Sequence, residues 1–169
     1  MTRRYTYPAA ATSAEMDPET MDFFSMVVGL ASEHRFRGNT GDPTCTVLRH
    51  SMLCALIARL LGAGPEIVFY ALVHDLHESI TGDMPSPQKK QIPGWGWYED
   101  YVQDCVLSRL GIGDLTEDQQ TMLRKIDQIA LACDILWSIK RHGNPTPLSA
   151  YTIDPDAIVA AKEMFPCLR

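Results

Sequence analysis

The chain has 169 residues, 46% of them hydrophobic and 21% charged, the composition of a single globular domain with a sizeable core. Fifteen basic against 21 acidic residues leave a net charge of −6, which excludes a general electrostatic grip on nucleic acid or acidic lipid but not a local basic pocket for a small anion. No apolar run approaches the roughly 20 residues of a membrane span, and the basic start Met1–Tyr5 is not followed by the apolar stretch of a signal peptide. The five cysteines (Cys45, Cys54, Cys105, Cys133 and Cys167) are odd in number and lack C-x-x-C spacing, so a reduced, cytoplasmic setting is expected.

Residues 1–16 read as an extended N-terminal segment, and 17–169 as one helical domain. Asp17-Pro18-Glu19 is a helix start, and the helix runs to about Glu33 with Met21, Phe24, Val28 and Ala31 along one stripe. The basic, aromatic segment His34–Asn39 follows. A second helix, Thr44 to about Leu61, is apolar on nearly every side and is expected to be central; Gly62-Ala63-Gly64 closes it. Pro65-Glu66 opens a third helix predicted to continue to Gly82. Residues 83–97, rich in proline and glycine with Trp95 and Trp97, read as a functional loop whose tryptophans form a pocket wall or a subunit contact. A fourth helix spans Tyr98–Leu110. Thr116-Glu117-Asp118-Gln119 is a capping box for a long helix to about Arg141, and Asp154-Pro155-Asp156 starts a last helix to Met164. No strand pattern is sustained, so the fold class is all-α, a bundle of about six helices.

One stretch stands out. An apolar run from Ile67 to Val73 leads into His74, Asp75, His77, Glu78 and Asp83, five ionisable groups within ten residues. Ionisable groups at the end of a core helix are costly unless paired or bound to a metal. His50 lies inside another strongly apolar helix, and Asp127 interrupts the apolar pattern of the long one. Imidazoles and carboxylates suit a borderline divalent metal, so His50, His74, Asp75 and Asp127 form a candidate four-ligand set on three helices. Asp134 competes with Asp127, because the two are seven apart on nearly one helix face. Hydrogen-bonded core roles remain open for each of these residues on spacing alone.

The order His…His-Asp…Asp resembles the HD-domain phosphohydrolase superfamily. His74-Asp75-x-x-Glu78 followed by Thr81-Gly82-Asp83-Met84-Pro85-Ser86-Pro87 resembles the corresponding run of the bacterial HD-domain 5′-deoxynucleotidases, as does Arg35 before an aromatic residue fifteen positions ahead of His50. Compact phage dATP and other dNTP triphosphohydrolases share this scaffold and a similar length. The likeness covers about residues 30–140 and prefers Asp127, in Asp127-Gln128-Ile129-Ala130-Leu131, as the last ligand. Phe36 stands where the nucleotidases commonly carry tryptophan, and the 24 positions from His50 to His74 are few.

The resemblance implies a metal-dependent hydrolase acting at the 5′ (alpha) phosphorus of a 2′-deoxynucleotide. It favours a purine dNTP cleaved to deoxynucleoside and triphosphate, with a 5′-deoxynucleotidase as the alternative. A non-catalytic nucleotide-sensing module is the reading from another class. The metal would be zinc, cobalt, manganese or similar, with magnesium as a second ion beside a triphosphate. Glu78 is the expected general base or water-orienting group. Asp83 is the second acid, meeting the sugar 3′-hydroxyl or assisting proton transfer; a turn role is its alternative. Arg35 is the expected phosphate clamp. Phe36 stacks on the base or serves the core, and Pro87 lines the substrate site. Lys89 and Lys90 neutralise phosphates or form a solvated pair. His77 sits near the same edge as His74. A small-molecule substrate, a homo-oligomer, no nucleic acid, no membrane and a cytoplasmic location (a host's, were the chain phage-encoded) complete the expectation.

Overall fold

The computed structural model describes residues 19, 21–142 and 153–164, with the side chains of 141 and 142 left aside. Among these residues the chain is all-α, with one isolated antiparallel bridge between His34 and Thr46 and no sheet. The expected helix start at Asp17-Pro18 and the stop signal at 143–145 lie outside the described residues.

The first helix, α1 (Phe23–Ser32), begins later than predicted because Asp22 caps it, accepting from the amides of Phe24 and Ser25 at 3.3 and 3.1 Å. Its buried positions are Met26 and Leu30. Of the predicted inward stripe, Met21 is buried, but Phe24 and Val28 are 74% and 50% exposed, so within α1 the stripe lies on the outer face. In α2 (Val47–Leu60) Thr46 is the N-cap, and Val47, His50, Ser51, Cys54, Ile57 and Ala58 point inward. Met52, Leu56 and Leu60 are exposed, so α2 is buried on one side only. At its end Gly62 takes φ +76, and the amides of Gly62 and Ala63 bond back to Arg59 and Ala58, the paired closure that a left-handed glycine permits.

The predicted third helix divides. α3 (Pro65–Val73) stops before His74, residues 74–77 form turns, and α4 (Glu78–Thr81) is a single turn. The cause is local. His74 Nδ1 donates to the Ala71 carbonyl at 2.8 Å, the acceptor that the Asp75 amide would use in a continuing α-helix. The backbone then winds more tightly through three-residue bonds, Leu76 to Val73, Glu78 to Asp75 and Ser79 to Leu76.

The segment 83–97 is not all loop: it holds α5 (Ser86–Lys89) and the first turn of α6 (Trp95–Arg109). Trp97 stacks on Tyr101 and Trp95 meets Tyr98 edge-on, so both tryptophans lie along α6. The capping box of α7 (Glu117–His142) forms as predicted, Thr116 and Gln119 exchanging hydrogen bonds at 2.9 and 3.3 Å. α8 (Pro155–Met164) ends the described chain.

One apolar cluster joins α2, α3, α7 and α8 through Cys54, Ile57, Ala71, Ile126, Ile129 and Ala161. Another joins α1, α6 and the α2–α3 ends through Leu30, Val47, Val73, Leu76, Val102 and Val106. Close approach of α1 to α4 depends on Gly29, where a Cβ would lie 3.2 Å from that of Ser79. The polar residues singled out above meet where α2, the end of α3 and α7 converge. No helix among the described residues is long and apolar enough to cross a membrane.

Candidate metal centre

His50 is completely buried on α2, and its ring lies between two aspartates of α7. Nε2 is 3.0 Å from Asp127 Oδ1, and Nδ1 is 2.9 Å from Asp134 Oδ2. The ambiguity between two aspartates on one face therefore has a geometric answer: they occupy opposite ends of one imidazole. Asp127 is on the end shared with His74 and Asp75. Asp134 is on the other, with Arg49 at 3.0 Å and Arg35 at 3.4 Å.

The tight turn after α3 delivers the other two expected ligands. With Nδ1 of His74 committed to Ala71, its Nε2 faces the site, 3.3 Å from Asp75 Oδ2 and 3.9 Å from Asp127 Oδ1. Asp75 Oδ2 is also 3.8 Å from His50 Nε2. His74 Nε2 is buried with no hydrogen-bond partner. An orphaned buried nitrogen facing two carboxylates and a second imidazole suits a divalent ion, and the donor set has the right chemistry for one. Donor atoms of His50, Cys54, His74 and Asp127 all lie within 4.8 Å of one another, so this group could hold a metal ion; Asp75 is not one of these four but lies beside them, near His74 and His50. Cys54 was not anticipated. Its sulfur is 3.4 Å from His50 Nε2, and the i, i+4 spacing from His50 was the available signal.

The electrostatics follow from the same contacts. Burial and the Arg35 charge oppose protonation of His50. Cys54 and the hydrogen bonds to Asp127 and Asp134 outweigh them, so the ring holds its proton well above the usual range. A divalent ion held at Nε2 would compete with that proton.

Arg35 is nearly buried at the edge of the centre. The bridge that places it is made by Arg35 N to Cys45 O at 2.9 Å and Val47 N to Glu33 O at 3.0 Å. Its Nη1 is 3.7 Å from Asp75 Oδ2. Burial opposes its charge, but Asp134, Asp75, Asp83 and Asp127 together hold the guanidinium ionised. The next residues, Phe36 and Arg37, both have positive φ, at 56° and 54°, a costly conformation for side-chain-bearing residues. Asp83 steadies this turn: its Oδ2 accepts from the Phe36 amide at 2.8 Å, while its own amide donates to Glu33 Oε1 at 3.1 Å. Asp83 is therefore a latch between two segments.

Of the two roles expected for it, the Phe36 ring takes the core one. It is 4% exposed and packs with Cys45, Leu131 and Ile135, with the Arg35 guanidinium 5.4 Å from its centroid. It belongs to the core and leaves no open face for a base.

Glu78 is 5% exposed, one tight turn beyond Asp75, and its Oε2 is buried without a partner. Burial first, then the charges of Asp75 and Asp83, push its carboxyl well above the usual range. Glu78, His77 and Glu99 form a second group of clustered donors. Lys89 enters this group, with Nζ 2.7 Å from Glu99 and 3.8 Å from Glu78. The lysine expected at the phosphates is thus engaged by two carboxylates, and Glu99, a partner that spacing did not suggest, is one of them. Burial lowers the His77 pKa, and His77 faces this second group with Nδ1 3.3 Å from the His74 carbonyl. Lys90 is exposed at the end of α5, and Pro87 is half-buried within it.

No family model matches the chain. A curated relative, the uncharacterized protein YfdR of Escherichia coli (strain K12), is 26% identical over 109 residues, covering 64% of this chain. The match spans 56% of that relative's length. A solved crystal structure known only as genomics APC5600 superposes with a TM-score of 0.62 at 20% identity, covering 86% of this chain and 90% of that one. It shares the fold.

Proposed function

We propose that the chain is a divalent-metal-dependent phosphohydrolase acting at the phosphorus next to the 5′ oxygen of a 2′-deoxynucleotide. The observation that carries this reading is a buried carboxylate, Glu78, one tight turn from Asp75: its Oε1 pairs with Lys89 at 3.8 Å while its Oε2 has no hydrogen-bond partner, near the His50, His74, Asp75 and Asp127 donors. A purely structural metal site has no use for a further buried acid with one oxygen left unbonded. The HD-x-x-E…T-G-D-x-P resemblance supports the substrate class.

Held by those four residues, an ion of zinc, cobalt or manganese type supplies Lewis acidity toward phosphate and water. The remaining roles belong to the protein. Glu78, poised by its raised pKa, takes a proton from the attacking water. Arg35 offers a guanidinium fixed by burial and by Asp134 and Asp75 to a phosphate oxygen. Asp83, one oxygen of which receives the Phe36 amide, offers the other to the sugar 3′-hydroxyl.

The preferred substrate is a purine dNTP, giving deoxynucleoside and triphosphate. The ion pair of Lys89 with Glu99 favours a second reading, a 5′-deoxynucleotidase, because it removes half of the lysine pair that would face a longer phosphate chain. A homo-oligomer is proposed on the same resemblance, with the exposed apolar side chains of α1 and α2 as the surface it would cover. A reducing, cytoplasmic setting accords with four buried free thiols, Cys45, Cys54, Cys105 and Cys133.

The test is to incubate the metal-loaded protein with dNMPs, dNTPs and ribonucleotides and to resolve phosphate, pyrophosphate and triphosphate. Triphosphate from a dNTP supports the preferred reading, and phosphate from a dNMP the second. Nucleotide binding without any product would establish a sensing module instead.

A further inference from the structure

We infer that Asp134 is a positioning residue that sets both the metal-binding imidazole of His50 and the anion-binding guanidinium of Arg35; the inference rests on the metal reading above. Asp134 is 1% exposed, and three cationic or hydrogen-bearing groups from two other segments converge on it. Its Oδ1 meets Arg49 Nη2 at 3.0 Å. Its Oδ2 meets His50 Nδ1 at 2.9 Å and, as an ion pair, Arg35 Nε at 3.4 Å.

The geometry separates this role from that of Asp127. Seven residues of helix place the two aspartates on one face about 10 Å apart along the axis. The His50 ring spans the gap, one nitrogen toward each. An acceptor at Nδ1 holds the proton there and turns the Nε2 lone pair toward Asp127, His74 and Asp75. The same oxygen pairs with Arg35 Nε at 3.4 Å, an ion pair rather than a hydrogen bond, while Asp75 Oδ2 draws Nη1 from the other side at 3.7 Å. One buried carboxylate therefore sits against both a proposed ligand and the guanidinium beside it.

Arg49 gives the control. It joins Asp134 from the outer side, bonds also to Asp42 and Thr44, and touches none of the four proposed ligands. Losing Arg49 removes packing and charge around Asp134 without removing the acceptor at His50.

The experiment titrates the full chain and its Asp134→Asn, Asp134→Leu and Arg49→Met variants with Co2+, following the cobalt absorption, then adds inorganic phosphate and follows the change in that spectrum. Asp134→Leu is expected to weaken Co2+ about 10- to 100-fold. Asp134→Asn, which keeps an oxygen for Nδ1, is expected to recover part of that loss while its response to phosphate stays weakened. Arg49→Met should leave Co2+ affinity within about twofold. Should Asp134→Leu fail to fold, a loss of Co2+ affinity in Asp134→Asn, absent in Arg49→Met, still supports the role. Wild-type affinities for both probes in Asp134→Asn overturn the inference and leave the metal reading standing, as does an Arg49→Met loss equal to that of Asp134→Asn. A wild-type chain that takes up no Co2+ overturns both.

Discussion

Replacing Glu78 with glutamine should make the protein more stable and less active. The carboxyl is 5% exposed, its Oε2 has no partner, and its nearest cation, Lys89, is 3.8 Å away and closer to Glu99. Burial, Asp75 and Asp83 raise its pKa from the ordinary 4.5. A carboxyl whose pKa is higher folded than unfolded binds its proton more tightly in the native state. Its contribution to stability is therefore present below about pH 4.5 and lost as pH rises through the folded value. Above that range the group is a burden that Glu78→Gln removes. Removing the charge relieves its burial and the repulsion from Asp75 and Asp83, so the variant should gain about 1.4 kcal/mol, the equivalent of a tenfold change in proton affinity. For a chain of this size that is about 2–4 °C in Tm per kcal/mol. Thermal melts of the chelated protein from pH 3 to 8 should show a gap that opens with pH and closes below about 4. Turnover of the loaded enzyme should fall about 10²- to 10⁴-fold. A variant less stable than wild type at pH 7, or one with undiminished turnover, refutes this account of Glu78.

Asp127→Ala should abolish stoichiometric divalent-metal uptake in equilibrium dialysis, because Asp127 is the carboxylate at His50 Nε2; full retention of metal would show that the other donors suffice. Asp83→Ala removes the acceptor of the Phe36 amide from a turn held at positive φ, so about 1–3 kcal/mol of stability should go, with KM rising more than kcat falls as Arg35 loosens. Phe36→Ala should cost about 3–5 kcal/mol in denaturant unfolding, as a core truncation does. Unchanged stability with an altered base preference would instead make Phe36 a substrate contact. Cys54→Ala should keep Co2+, and the wild-type cobalt spectrum should lack a sulfur charge-transfer band. Burial raises the Cys54 pKa, and Asp75 and Asp127 already balance a divalent charge.

Local chemistry was legible in the chain. The capping box at Thr116–Gln119, the Pro155 start and the glycine closure after α2 needed only neighbouring residues, and each forms as predicted. The residue types and order of His50, His74, Asp75 and Asp127 marked out a donor set because apolar helices rarely carry such groups idly. What the sequence could not determine was direction. The stripe on α1 pointed outward, since four apolar positions define a face but not what covers it. The helix predicted through Gly82 broke at His74, where a side-chain donor took a backbone acceptor, and Glu78 came to cluster with His77 and Glu99. Two aspartates with one helical phase became distinct only when an imidazole from α2 lay between them. Lys89 looked like a cation awaiting phosphate until α6 brought Glu99 to 2.7 Å. Composition and spacing determine which groups must be partnered; packing of separate helices decides the partners, because the contacts of Asp83 with Phe36, of Asp127 with His50 and of Asp134 with His50 and Arg49 join residues 47 to 85 positions apart.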